Sequence, residues 1–269
     1  MDYGKIFSTA LKYGFNAKRI GIFFILLLPI FGSVIFGLST FMQAASNPAA
    51  LSLVGVMTSI LVLLVVVGIV MLVSIYVKGL ISADASSYWK SKKRISLCNS
   101  KPSMKGRYLS ILGATIIIGF IVGIINQIPF IGWLISIVLS WMFLFYLQSI
   151  VLGKKGAIDS IKESYYIFMD NKLEVFLFWL LLTIIGGVIM FIALIPLIIA
   201  ALPILMPIIS AIMTNDITAL SGIVQLIQQN LMTIGIGGLV TIAIMSYLTL
   251  FQEAAKVFFY NSVKKKRIK

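Results

Sequence analysis

Residues Ile20–Val77 read IGIFFILLLPIFGSVIFGLSTFMQAASNPAALSLVGVMTSILVLLVVVGIVMLVSIYV, without a single charged side chain. At about 1.5 Å of rise per residue, one helix of that length would be roughly three times the ~30 Å hydrocarbon core of a bilayer. The run must therefore fold back on itself. The turn falls in the stretch from Gln43 to Ala49, where small and polar residues lead into Pro48. Spans are expected at about 20–42 and 51–77.

The same reading extends outward. Tyr108–Gly153 is also free of charge, and Asn126 and Gln127 stand just ahead of Pro129. A residue before proline is driven out of the αR region, which ends a helix there. The expected spans are about 108–126 and 130–152. Val175–Gln252 holds one charge, Asp216, and yields spans at about 173–195 and 233–252. Between those two lie Pro196, Pro203 and Pro207. They predict a re-entrant or interfacial segment over 197–213, packed against protein. Residues 217–230 place Leu220, Ile223, Val224 and Ile227 at helical spacing opposite Thr218, Ser221, Gln225 and Gln228. This predicts an uncharged amphipathic surface helix, capped by Asp216.

Composition agrees. Of 269 residues, 60% are hydrophobic and 11% charged, and the mean hydropathy is +1.09. An average soluble domain is about 25% charged, and a water-soluble fold of this size could not hide so much apolar surface. Disorder needs the opposite composition. One cysteine, Cys98, excludes an internal disulfide, and the chain has no histidine. The fold class is an all-α polytopic helical membrane protein. Six transmembrane helices form a single membrane domain over 1–269, with amphipathic cytoplasmic interface helices.

Orientation follows from the cations. Four lie before the first span, eight in 78–107, four in 153–172 and six from Lys256 onward, which accounts for all 22. The three alternate connections carry none. By the positive-inside rule both termini face the cytoplasm, and the location is the cell membrane. The net charge of +14 points to an anionic membrane surface, because the cations border apolar spans. Nucleic acid is the less favoured partner.

A weak repeat runs through the chain. Tyr3, Ile6, Phe7, Ala10, Leu11 and Gly14 form one helical face, and Ile158, Ile161, Tyr165 and Phe168 form another. Ile81, Ala85 and Tyr88 make a looser third stripe. Triplicated units of 1–77, 78–152 and 153–260 are expected, each a surface helix followed by a pair of spans. The opening MDYGKIF, the break at Tyr13–Asn16 and the segment Ser160–Tyr166 leading to Asn171 and Lys172 resemble uncharacterised prokaryotic, chiefly archaeal, multi-pass membrane families. These are similar in layout to the membrane domain attached to some glycerophosphodiester phosphodiesterases. The resemblance carries no catalytic motif and implies no enzymatic activity.

No chemistry emerges from the residues themselves. Nucleophilic catalysis lacks its histidine base, no phosphate-binding glycine loop of the GxxxxGK[ST] type is present, and metal ligands do not cluster. No cofactor is called for. Two polybasic stretches are candidates for lipid headgroups: Lys90, Lys92, Lys93 and Arg94, and Lys264, Lys265, Lys266 and Arg267. Candidates for a pathway or a helix kink are Pro196, Pro203, Pro207, Asn126, Gln127, and the one-turn pair Glu253 and Lys256. The expected function is a non-enzymatic membrane protein that organises lipid, anionic lipid above all, or docks a partner protein. The alternative is a permease or channel for a small or lipophilic solute. Gly119 and Gly123 form a GxxxG, expected to pack within the chain.

Overall fold

Long uninterrupted apolar runs give long helices. The computed structural model describes residues 1–46, 53–91, 104–214 and 223–267. Among these the chain forms α1 (Tyr3–Gly14), α2 (Ala17–Ser46), α3 (Leu53–Ser91), α4 (Tyr108–Asn126), α5 (Gly132–Met142), α6 (Tyr146–Val151), α7 (Ala157–Asp170), α8 (Lys172–Thr214) and α9 (Ile223–Arg267). No strand occurs among the described residues. Six stretches are long and apolar enough to cross a membrane: Ala17–Gly37, Ile60–Ser91, Tyr108–Asn126, Gly132–Val151, Lys172–Ser210 and Gln229–Lys264. The protein is a multi-pass membrane protein. The turn around Pro48, the cap at Asp216, and Lys92, Lys93 and Arg94 lie outside the described residues.

Two expectations about helix continuity are corrected. Residues 197–213 do not form a separate re-entrant segment, because α8 continues through Pro196, Pro203 and Pro207 to Thr214. Each proline removes one N–H and crowds the carbonyl four residues back, but the 7- and 4-residue spacings put all three on one helix face. The neighbouring helix touches this stretch through a side-chain hydroxyl. Thr241 Oγ1 of α9 donates to the Ala193 carbonyl at 2.8 Å, with the carbonyl of Gly237 in its own helix 2.9 Å away. Likewise, 223–230 is not a separate surface helix but the opening of α9.

The reverse holds for the fourth span, which contains no proline after Pro129 and yet is broken. α5 stops at Met142 and α6 starts at Tyr146. One side chain bridges the break: Ser164 Oγ of α7 donates to the Met142 carbonyl at 2.7 Å and accepts from the Phe145 amide at 3.0 Å. The bend leaves Phe145 fully buried, stacked 5.2 Å from Phe259.

The described chain forms two compact units. The first comprises Met1–Asn16, Leu72–Gly186 and Thr249–Lys269. Its core is aromatic. Phe259 stacks on Phe178 at 4.3 Å, and Phe178 on Phe7 of α1 at 5.6 Å. Offset aromatic pairs contribute about 0.5–1.5 kcal/mol each beyond their buried area. α1 buries Ile6, Phe7, Ala10, Tyr13 and Gly14, whereas Leu11, expected inward, is exposed. Tyr13 takes the inward place because its hydroxyl donates to Asp84 Oδ2 at 2.7 Å, with Asp84 wholly buried. α7 differs from expectation in the same way. It buries Ser160, Ser164 and Ile167 and leaves Ile158 exposed.

The second unit comprises Ala17–Met71 and Gly187–Leu248. Small residues let its helices approach closely. A Cβ on Gly237 would lie 2.8 Å from the Pro196 carbonyl oxygen and 2.9 Å from Ala200 Cβ, and one on Gly238 would collide with the Phe31 ring. Gly119 and Gly123, by contrast, face open space on α4 of the first unit. That GxxxG packs against nothing among the described residues, because the α4 contacts run through Ile111 and Ala114 instead.

Candidate functional site

Lys90 ends α3 and Lys264 lies near the end of α9, far apart in sequence. In the first unit the two line one cleft of about 640 Å³, together with Ser86, Trp89, Leu152, Tyr260 and Asn261. Helical periodicity explains part of this, since Tyr260 and Lys264 are one turn apart on α9. The rest is packing. Trp89 stacks on Phe258 at 4.8 Å, and Asn261 Nδ2 donates to Ser86 Oγ at 3.1 Å, which ties α3 to α9.

Among the described residues the lining carries two lysines and no carboxylate. Lys264 Nζ stands 5.6 Å from the centre of the Tyr260 ring, a cation–π contact that holds the ammonium over the cleft. Both lysines are exposed, while Ser86 and Tyr260 are buried. The walls therefore offer aromatic surface and amide donors below, and ammonium groups at the rim. Such an arrangement can hold an anionic group attached to an apolar body.

A second polar group is buried nearby in sequence terms but distinct in character. Glu253 Oε1 pairs with Lys256 Nζ at 3.1 Å, and Glu253 is only 5% exposed. Gln148 of α6, fully buried, reaches Glu253 Oε2 at 3.5 Å. Thr115 and Tyr146 hydroxyls lie 3.1 Å apart in the same unit. The polar side chains of this group follow the α5–α6 break, which carries Tyr146 and Gln148.

The remaining candidates fall as follows. Asn126 and Gln127 are exposed at the end of α4, where Asn126 Oδ1 accepts from Ser136 Oγ at 2.6 Å. Pro196 and Pro207 are half-buried and Pro203 exposed on α8, in the second unit. Lys265, Lys266 and Arg267 continue α9. Sequence reasoning missed Trp89, Tyr260, Asn261 and Gln148. The i, i+4 spacing of Tyr260 and Lys264 was the one signal available. Among the described residues no three His, Cys, Asp or Glu side chains are grouped to hold a metal ion.

A family model described as a domain of unknown function (DUF7847) matches residues 91–263, more than half of the chain. No curated protein matches, and no solved structure matches.

Proposed function

The chain belongs to the DUF7847 family, a domain of unknown function, and we propose that it is a non-enzymatic membrane protein that gathers anionic lipid at the cytoplasmic face of the cell membrane. The observation that carries this reading is the acid-free cleft that unites Lys90 with Lys264 beside Trp89 and Tyr260. Basic side chains at the ends of spans attract anionic headgroups by about 1 kcal/mol each, and aromatic rings favour the same interfacial depth. With all 22 cations on alternate connections, both termini face the cytoplasm. α1 and α7 act as interface helices there, and a docked partner protein would meet this basic surface.

Native mass spectrometry of the full chain released from nanodiscs of mixed neutral and anionic lipid tests the reading. The wild type retains anionic lipid, and Lys90→Gln with Lys264→Gln loses most of it. Equal retention by both proteins, insensitive to salt, would overturn it.

The buried Glu253 and Gln148, with the half-buried Lys256 beside a broken span, favour a second reading, a permease for a small solute. Ionisable groups and interrupted helices mark transport pathways. Solute flux into proteoliposomes that Glu253→Gln abolishes would establish it over the first.

A further inference from the structure

A second recess, of about 550 Å³, opens at the start of α7, with Lys154, Lys155, Asp159, Lys162, Glu163 and Tyr166 in its walls. Lys155 is engaged, its Nζ 3.5 Å from Glu163 Oε2. Lys154 and Lys162 are exposed and form no ion pair among the described residues. The recess and the cleft described above share one wall. Tyr260, which lines the cleft, donates its hydroxyl to Glu163 Oε1, which lines the recess, at 3.3 Å. Gly153 closes that wall from behind. A Cβ there would collide with the Ser149 carbonyl and lie 3.2 Å from both Glu163 Oε2 and Tyr260 Oη.

The wall is electrically balanced. The Glu163 carboxylate is offset by Lys155 and accepts from the Tyr260 hydroxyl, which lowers its repulsion of an anion on either side. Lys90 and Lys264 stand on one side of it, and Lys154 and Lys162 on the other. Asp159 weakens the recess as an isolated anion site. The recess therefore suits a second anionic group delivered by a ligand already anchored in the cleft, where the local concentration is high.

We propose that the two cavities together take one lipid headgroup bearing two phosphates. One phosphate is seated by Lys90 and Lys264, the other by Lys154 and Lys162, and the headgroup crosses the Tyr260–Glu163 pair. This rests on the reading of the cleft as a lipid site. Paired basic pockets at the ends of spans are suited to such headgroups.

The test uses the full chain in nanodiscs of neutral lipid, doped with phosphatidylglycerol (one phosphate) or with diphosphatidylglycerol (two) at equal total charge. The expected result is a preference of about tenfold for the two-phosphate lipid. Lys154→Gln with Lys162→Gln abolishes that preference and leaves phosphatidylglycerol binding unchanged, whereas Lys90→Gln with Lys264→Gln weakens both. These side chains are exposed, so an unchanged thermal midpoint confirms that each variant is folded. A wild type without the preference, or a preference that survives Lys154→Gln with Lys162→Gln, overturns the proposal while the single-phosphate cleft stands. Binding of neither lipid above the neutral background overturns the cleft reading itself. Displacement by equimolar soluble pyrophosphate overturns the assignment to lipid.

Discussion

Replacing Ser164 by alanine removes one hydroxyl and strands two backbone groups. Ser164 Oγ bridges the Met142 carbonyl and the Phe145 amide at 2.7 and 3.0 Å, and the serine is fully buried. A buried backbone donor or acceptor left unpaired costs about 1–3 kcal/mol. The two together set an expected loss of about 2–6 kcal/mol, against the ~0.6 kcal/mol typical of a side-chain hydrogen bond between spans. Ser160→Ala is the matched control. Ser160 is equally buried, but its hydroxyl donates at 2.6 Å to Ala157 within its own helix turn, where the backbone already supplies a donor. Its loss is expected below about 1 kcal/mol. Reversible unfolding of both variants in mixed micelles, titrated with a denaturing detergent, measures the difference. Hydrogen exchange at the Phe145 amide gives a local readout and should quicken only in Ser164→Ala. If the two variants lie within about 0.5 kcal/mol of each other, a resolution set by additivity between independent sites, the bridging role is refuted.

Gly237→Val drives a side chain into Pro196 and Ala200 and is expected to destabilise by about 1–3 kcal/mol in the same titration, whereas Gly119→Val, facing open space, leaves the midpoint unchanged. Thr241→Val should cost about 0.6 kcal/mol in the same titration, because it removes the hydroxyl that reaches the Ala193 carbonyl of the packed helix. Burial first, and the Glu174 carboxylate second, raise the Tyr3 phenol above its ordinary value of 10, and the phenol donates to the Glu174 carbonyl at 3.2 Å. The folded state thus holds the proton more tightly than the unfolded one. The Tyr3 contribution is complete below about pH 10 and is lost as pH rises toward the folded value. Alkaline unfolding of Tyr3→Phe against wild type checks this, and the gap between them should narrow only above pH 10.

Span number was legible because charge is forbidden in hydrocarbon, so gaps in charge measure span length directly. Where helices stop and bend was less so. Proline is read as a breaker because one missing N–H is a local fact, yet α8 runs on through three prolines, and its contact with Thr241 of another helix lies in no local window. Conversely, nothing in the stretch from Met142 to Tyr146 signals a stop. The break there is answered by Ser164, 22 residues from Met142. The inward face of α7 was misjudged for the same reason: hydropathy selects Ile158, but two serines go inward because backbone groups need their hydroxyls. At the candidate site, Lys90 and Lys264 were legible as charges beside spans. Their convergence with Trp89 and Asn261 was not, since the pairing of α3 with α9 is set by aromatic packing at Phe258.

The Ser164 bridge also imposes an order on synthesis. Ribosomes deliver α5 and α6 before α7, so the interrupted pair reaches the translocon with Met142 and Phe145 still lacking their partner. Lipid offers no substitute hydrogen bond. The junction between α5 and α6 is therefore completed only once α7, which carries Ser164, has been made.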